Sequence, residues 1–218
     1  MDDQPQREQL VAAVARLDEL GLNRGSTGNL SVRASKGGFW ITPTGMPPEE
    51  ITPRALVRLA DDGQPLEGEW APSSEWPFHR SVYAARPDLG AVVHMHSPHA
   101  TALACLRRGL PAFHYMVAVA GGDDVPCTPY HLFGTEALSA AVAAAFTARN
   151  ACLMANHGLV AGGRDTAHAM KVALEVESLC GIYLQALAVG EPVQLSRDEM
   201  AAVIERFKSY GKARRASG

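Results

Sequence analysis

Cysteine is scarce in this chain, with four among 218 residues, at Cys105, Cys127, Cys152 and Cys180. None forms a C-x-x-C pair, which argues against a thiolate zinc site and against a disulfide framework, and points to a reducing cytoplasm. Lysine is equally rare. Lys36 lies in a predicted turn, Lys171 in a predicted amphipathic helix, and Lys208 and Lys212 near the end, so none suits an enzyme that works through a buried lysine imine. A surplus of one charge is also missing. The 20 basic and 23 acidic residues leave a net charge of −3, and no broad cationic field is present to hold nucleic acid or anionic lipid. The basic cluster of Lys208, Lys212, Arg214 and Arg215 reads as a solvated tail. No apolar run approaches the ~20 residues needed to span a bilayer. The opening Met1-Asp2-Asp3-Gln4-Pro5 is acidic and polar, unlike a secretory leader. A P-loop and a dinucleotide G-x-G-x-x-G are both lacking.

What is present is ordinary for a globular enzyme: 47% hydrophobic and 20% charged residues, enough for one domain with a substantial core. Apolar positions Leu10, Val11, Val14, Leu17 and Leu20 stripe a helix over Glu8–Leu20, closed by Gly21. Short strands are expected at Leu30–Arg33, Phe39–Thr42 and Leu56–Leu59. Trp76–Ala85 reads as a helix with Pro77 in its first turn and Pro87 beyond its end. Ala91–His96 is an apolar, β-branched run typical of a buried strand. Ser97-Pro98 then opens a helix through Leu106 as N-cap and first helical residue. Further helices are expected over Glu136–Arg149 and Asp165–Ala188, with a buried strand at Ala151–Met154. Ser196 and Glu199 form a capping box for a last helix ending near Gly211. The early strands are consecutive rather than strictly alternating with helices, so an α/β domain with a mixed sheet covered by helices is expected.

The chemistry concentrates at strand ends. His94 and His96 are two apart, so both imidazoles share one face of a strand, with Cα atoms ~6.6 Å apart. That is close enough to share a metal at ~2.0–2.1 Å per bond. His157, in Ala155-Asn156-His157-Gly158, follows another short strand and is the third ligand candidate. Three neutral imidazoles with an open fourth position describe a catalytic zinc site rather than a closed structural one. His79, His99, His114, His131 and His168 read as structural or surface histidines, with His99 close enough in sequence to support the ligands. Glu75, in Pro72-Ser73-Ser74-Glu75, could reach a metal or a substrate proton. On local sequence alone it reads first as a helix-start glutamate favoured by the macrodipole. Ser73 and Ser74 read as caps, or as phosphate ligands beside free N–H groups. The loops Gly25-Ser26-Thr27-Gly28-Asn29 and Thr42-Pro43-Thr44-Gly45 read either as tight turns or as parts of the same anion cradle.

Taken in order, G-x-x-x-N-L-S (Gly25 to Ser31), T-P-T-G (Thr42 to Gly45), P-S-S-E (Pro72 to Glu75), H-x-H (His94 to His96) and N-H-G-L (Asn156 to Leu159) resemble the class II aldolase/adducin family. The resemblance runs from about Leu17 to Gly211. It is closest to the branch that cleaves L-fuculose 1-phosphate, whose pattern also includes Pro111 to Met116, Ala120-Gly121-Gly122 and the closing Phe207 to Gly211. It implies a catalytic domain over 1–212 with a basic tail at 213–218. The implied fold is a mixed, mostly antiparallel sheet between helix layers, assembled as a homotetramer with active sites between neighbours. One Zn2+ per subunit is implied on His94, His96 and His157. Glu75 is implied as the catalytic carboxylate, Tyr115 as the tyrosine serving the aldehyde end, and Tyr210 as a tyrosine closing the site. Asn29, Thr44, Gly45, Ser73 and Ser74 match the phosphate pocket, with Gly28 shaping its loop. Thr44 replaces a serine common in similar enzymes and keeps the hydroxyl.

The expected reaction is reversible cleavage of a ketose 1-phosphate to dihydroxyacetone phosphate and a short aldehyde. Zinc would act as Lewis acid, and the phosphate cradle would fix the scissile bond in register. A pentulose-phosphate 4-epimerase or a methylthioribulose-phosphate dehydratase on the same scaffold is the alternative. The epimerase branch typically carries an acid where this chain reads His114-Tyr115-Met116. A non-catalytic adducin-like binding module would be expected to lack the histidines that this chain keeps.

Overall fold

The alternation read into Ala91–His96 sorts side chains between two cores. A computed structural model describes residues 3–209. In it β5 (Ala91–Met95) is fully buried, sending Ala91, Val93 and Met95 to one face of a sheet and Val92 and His94 to the other. β1 (Asn29–Arg33) does the same: Leu30 and Val32 join the first core. Asn29, Ser31 and Arg33 are left on the opposite face, because successive strand residues point to opposite sides.

Among the described residues, eight strands build the sheet. Besides β1 and β5 they are β2 (Phe39–Ile41), β3 (Val57–Leu59), β4 (Pro65–Glu67), β6 (Cys127–Thr128), β7 (Ala151–Met154) and β8 (Gly158–Gly163). Their order is β4-β3-β2-β1-β5-β8-β7-β6. Every pairing is antiparallel except β6 with β7. The expected mixed, mostly antiparallel sheet is therefore the one observed. The register sets Asn29 opposite His94, and Met95 opposite Leu159.

Helices cover both faces. α1 (Gln4–Glu19), α3 (Pro98–Cys105) and α5 (Thr166–Leu187) enclose the core that holds Leu17, Leu30, Val93, Leu103 and Val176. α2 (Trp76–Ala85) and α4 (Glu136–Phe146) pack together over the other, around Phe78, Val82, Leu138, Val142 and Val160. α6 (Arg197–Ser209) docks on a short 3-10 segment, Tyr115–Ala120. Its expected capping box is formed: Glu199 N donates to Ser196 Oγ at 3.3 Å, and Ser196 N donates to Glu199 Oε2 at 2.7 Å.

Three expectations need adjustment. Glu136–Arg149 ends as a helix at Phe146, where Thr147 folds back on Ala144. β4, β6 and β8 were not anticipated: the first is exposed, the second has two residues, and the third is rich in glycine. Ser97 is the N-cap of α3, but its hydroxyl makes no capping bond and donates instead to Glu177. The end of the last helix near Gly211, Tyr210, and the tail at 213–218 lie outside the described residues.

Candidate active site

The three histidines converge. The Nε2 atoms of His94 and His96 lie 3.0 Å apart. The rings of His94, His96 and His157 stand edge-on to one another, with centroids 4.9, 4.9 and 5.0 Å apart. One nitrogen from each can be chosen so that all lie within 4.8 Å of one another. β5 delivers the first two. The third comes from the tight turn between β7 and β8, where Asn156 adopts a left-handed φ of 56° and His157 N donates to Met154 O. The glycine after it is needed for contact. A Cβ on Gly158 would fall 2.6 Å from Met95 O and 3.2 Å from the His96 ring.

The tautomer of His94 follows from its partner. Its Nδ1 lies 2.9 Å from Leu159 O, and a carbonyl only accepts, so Nδ1 carries the proton and Nε2 offers a lone pair. That lone pair points at His96 Nε2 and, 3.2 Å away, at Glu75 Oε2. Glu75 Oε1 lies 3.2 Å from His157 Nε2 yet finds no hydrogen bond of proper geometry, though it is buried. Acceptors crowded together in this way repel unless a cation or protons lie between them. The 3.0 Å separation is near the ~3.3 Å edge of a tetrahedron with zinc–nitrogen bonds of ~2.05 Å. The donor set therefore fits a divalent metal held by three imidazoles with a carboxylate alongside.

Electrostatics agree with that fit. Burial alone would raise the Glu75 carboxyl, but positive charge on the His94 and His157 side, which a bound cation would equally supply, outweighs it and holds the group well below the usual carboxylate range. Burial, followed by the neighbouring His94 and His157, pushes His96 down to about 4, so its ring is neutral at neutral pH. His79 is fully buried, and desolvation followed by His94 lowers it to about 3.

The three loops expected to cradle an anion meet beside this cluster. Thr42 N donates to Leu30 O and Leu30 N donates to the Thr42 hydroxyl, Ser73 N donates to Thr42 O, and Thr44 N donates to Ala71 O, with Pro43 bridged to Pro72. Gly28 has φ +73°, and a Cβ there would sit 2.5 Å from Asn23 Nδ2 and 2.7 Å from His94 O. Asn23 Oδ1 accepts in turn from His96 N, so this loop is pinned against the ligand-bearing strand. Gly45 has φ +66° and open space where a side chain would be. Ser73 Oγ accepts from Glu75 N at 3.3 Å, a turn bond just before the helix, whereas the N-cap position of α2 is taken by Glu75 itself, so the capping reading of this serine is not met. The Asn29 carboxamide is committed elsewhere: Nδ2 donates to Glu75 Oε2 at 2.9 Å and Oδ1 meets His79 Nε2 at 2.6 Å.

A cavity of about 290 Å3 opens over Ser74, Glu75, His96 and His157, with Tyr130, His131 and Phe133 also lining it. Tyr130 and Phe133 are more than half exposed. Neither these residues nor His79 stood out in the sequence. A lone histidine four positions after a candidate glutamate on a helix was the available signal for His79. His99 is not at the site: it pairs with Glu177 on the far core. Tyr115, half exposed, lines a different cavity with Met116, Val203 and Phe207.

A three-histidine cluster, an adjoining carboxylate and a cradle of hydroxyls and amides on this sheet define a metal-dependent lyase of the aldolase type. Residues 8–184 match the family model of the class II aldolase and adducin N-terminal domain, and the chain belongs to that family as a metal-dependent class II aldolase. It is 48% identical over 205 residues to the 5-methylthioribulose-1-phosphate/5-deoxyribulose-1-phosphate aldolase of Rhodospirillum rubrum, covering 94% of this chain and 92% of that one. It is 47% identical over 204 residues to the L-fuculose phosphate aldolase of Escherichia coli, covering 93% and 94%. A solved L-fuculose 1-phosphate aldolase superposes with a TM-score of 0.92 at 41% identity, covering 95% and 98%.

Proposed function

We propose that this chain cleaves a ketose 1-phosphate reversibly to dihydroxyacetone phosphate and a short aldehyde, with zinc on His94, His96 and His157. The observation that carries this reading is the convergence of ring nitrogens of His94, His96 and His157, and of a buried Glu75 carboxylate oxygen, below an open cavity. Zinc suits three imidazoles, and when bound it supplies the electrophile that stabilises charge left by carbon–carbon cleavage, an effect worth several kcal/mol.

The chain's own residues supply the rest. Thr44, Gly45, Ser73 and Ser74, with the backbone of the Gly28-Asn29 turn, hold the phosphate and thereby fix the scissile bond. Glu75, desolvated and kept ionised by its surroundings, exchanges the proton at the carbon of the dihydroxyacetone phosphate fragment. Tyr115 moves the proton at the aldehyde oxygen, and Tyr210 closes the site. Tyr115 lines another cavity within its own chain, which suits a role at the site of a neighbour in a homotetramer. The exposed Tyr130, Leu132 and Phe133 beside the site suit coverage by such a neighbour. The catalytic domain extends over 1–212. Four free thiols suit the reducing cytoplasm, and no described helix is long and apolar enough to cross a membrane.

The relatives divide between L-fuculose phosphate and 5-deoxy or 5-methylthio pentulose phosphates, so the aldehyde is the open variable. The test is metal quantification of the purified protein, combined with dihydroxyacetone phosphate release from L-fuculose 1-phosphate, 5-deoxyribulose 1-phosphate and 5-methylthioribulose 1-phosphate, with and without EDTA. One divalent metal per chain and EDTA-sensitive release are expected. Epimerisation or dehydration without cleavage would overturn the assignment.

A further inference from the structure

α2 and β1 carry polar residues in matching periods. Glu75, His79 and Tyr83 recur every four residues, which on a helix means one face and ~6.0 Å per step. Asn29, Ser31 and Arg33 recur every two residues, which on a strand means one face and ~6.6 Å per step. The two rows interleave as Glu75–Asn29–His79–Ser31–Tyr83. The links measure 2.9, 2.6, 2.7 and 2.8 Å in that order. Ser31 and His79 have no solvent exposure, and the remaining members are buried to below a tenth. Arg33 closes the row by donating to Tyr83 O at 2.8 Å and lying over the tyrosine ring.

Every proton in this ladder is fixed by the one before it. The Glu75 carboxylate only accepts, so Asn29 must turn its Nδ2 towards it and leave Oδ1 as an acceptor. His79 Nε2 must then carry a proton. The ring is neutral and its two hydrogen-bond partners are uncharged, so its Nδ1 is bare and accepts from the Ser31 hydroxyl. Ser31, having donated, accepts from Tyr83. All four donors thus point towards Glu75, and aligned hydrogen bonds in a low-dielectric interior strengthen one another. The chain also ends proton movement. A carboxamide neither releases nor relays a proton, so Asn29 insulates Glu75 from the interior.

We infer that His79 is a positioning residue for Glu75: through Asn29 it locks the carboxylate in place and confines its proton exchange to the cavity side. This rests on the assignment of Glu75 as the proton-exchanging group. Removing a buried partner that orients a site group typically costs ~10–100-fold in activity. His79→Leu is therefore expected to lower kcat by that factor while KM and bound metal stay close to wild type, because the phosphate loops and the three imidazoles are untouched. His79→Gln, whose amide can both donate to Asn29 and accept from Ser31, is expected to recover most of the loss. Ser31→Ala is expected to fall between wild type and His79→Leu.

Nitrogen NMR of the wild-type protein tests the ladder without relying on any variant or any activity. His79 is expected as the neutral Nε2–H tautomer at neutral pH, and the Nδ1–H tautomer would overturn the inference even if both His79→Leu and Ser31→Ala failed to fold. So would a folded His79→Leu with unchanged kcat, a loss that follows metal content, or a His79→Gln no better than His79→Leu. Failure of the wild-type protein to cleave any ketose phosphate would instead overturn the aldolase reading, and the tautomer measurement would still decide separately whether the ladder exists.

Discussion

Two buried glutamates, Glu75 at the start of α2 and Glu177 with its carboxylate against the start of α3, each lie beside histidine, and their surroundings differ in one respect. Glu177, reaching from α5, is saturated: Oε2 accepts from Ser97 Oγ at 2.6 Å and Ala100 N at 2.8 Å. Oε1 accepts from His99 N at 2.9 Å and pairs with His99 Nδ1. It fills the N-terminus of α3, where free N–H groups and the helix dipole favour an anion. Glu75 has one amide donor, the His94 lone pair opposite, an unsatisfied oxygen and an open cavity. A carboxylate that holds a fold together uses all its acceptor capacity on the protein. One that works keeps capacity aimed at something the protein alone does not supply.

That contrast can be tested at several points. The largest effect is expected from metal removal: dialysis against EDTA should abolish cleavage, and added Zn2+ should restore it, as followed by dihydroxyacetone phosphate release. Glu75→Gln comes next. It should lower kcat by ~10²–10⁴, the usual worth of a positioned proton-transfer group, while the thermal midpoint of the metal-free protein stays nearly unchanged. Glu177→Ala should do the reverse. Loss of charged hydrogen bonds and of a helix cap should cost about 2–4 kcal/mol in urea unfolding, with kcat per folded molecule preserved. If Glu177→Ala removed activity at unchanged stability, the distinction between the two glutamates would fail.

The smallest effect is on pH. His79 takes up a proton near its ordinary ~6.5 in the unfolded chain but only near about 3 when folded. The unfolded state therefore binds more protons between those values, and native stability, full above ~6.5, should decline as pH falls towards 4. Urea midpoints of the metal-free protein between about pH 7 and 4.5 measure this decline, and His79→Gln should flatten it.

Much of the site was legible because it uses local chemistry. H-x-H at the end of an apolar run, a histidine–glycine turn after another strand, and P-S-S-E before a helix are short patterns with a physical reading. All three converge in the structure. The helix at Trp76–Ala85 and the strand at Ala151–Met154 were readable to the residue because proline and turn residues bound them. β4, β6 and β8 were not, since they owe their strand state to pairing rather than to β-branched composition. Asn29 read as a phosphate ligand, and no local pattern showed that its side chain also donates to Glu75. His79 read as one buried histidine among several. No spacing along the chain reveals that the four-residue step of α2 meets the two-residue step of β1 across 46 to 52 positions.

The amino-acid order alone determined which residues could ligate a metal, which loops could cradle an anion, and which segments must be buried, because rotamer, turn and apolar patterns act over a few residues. Tertiary structure decided what those residues face. The sheet register set His94 opposite Asn29, α2 laid Glu75 and His79 over them, and α5 claimed the start of α3 with Glu177. Whether a buried carboxylate ends up satisfied or poised depends on partners dozens of residues away, and only the folded chain brings them within hydrogen-bonding distance.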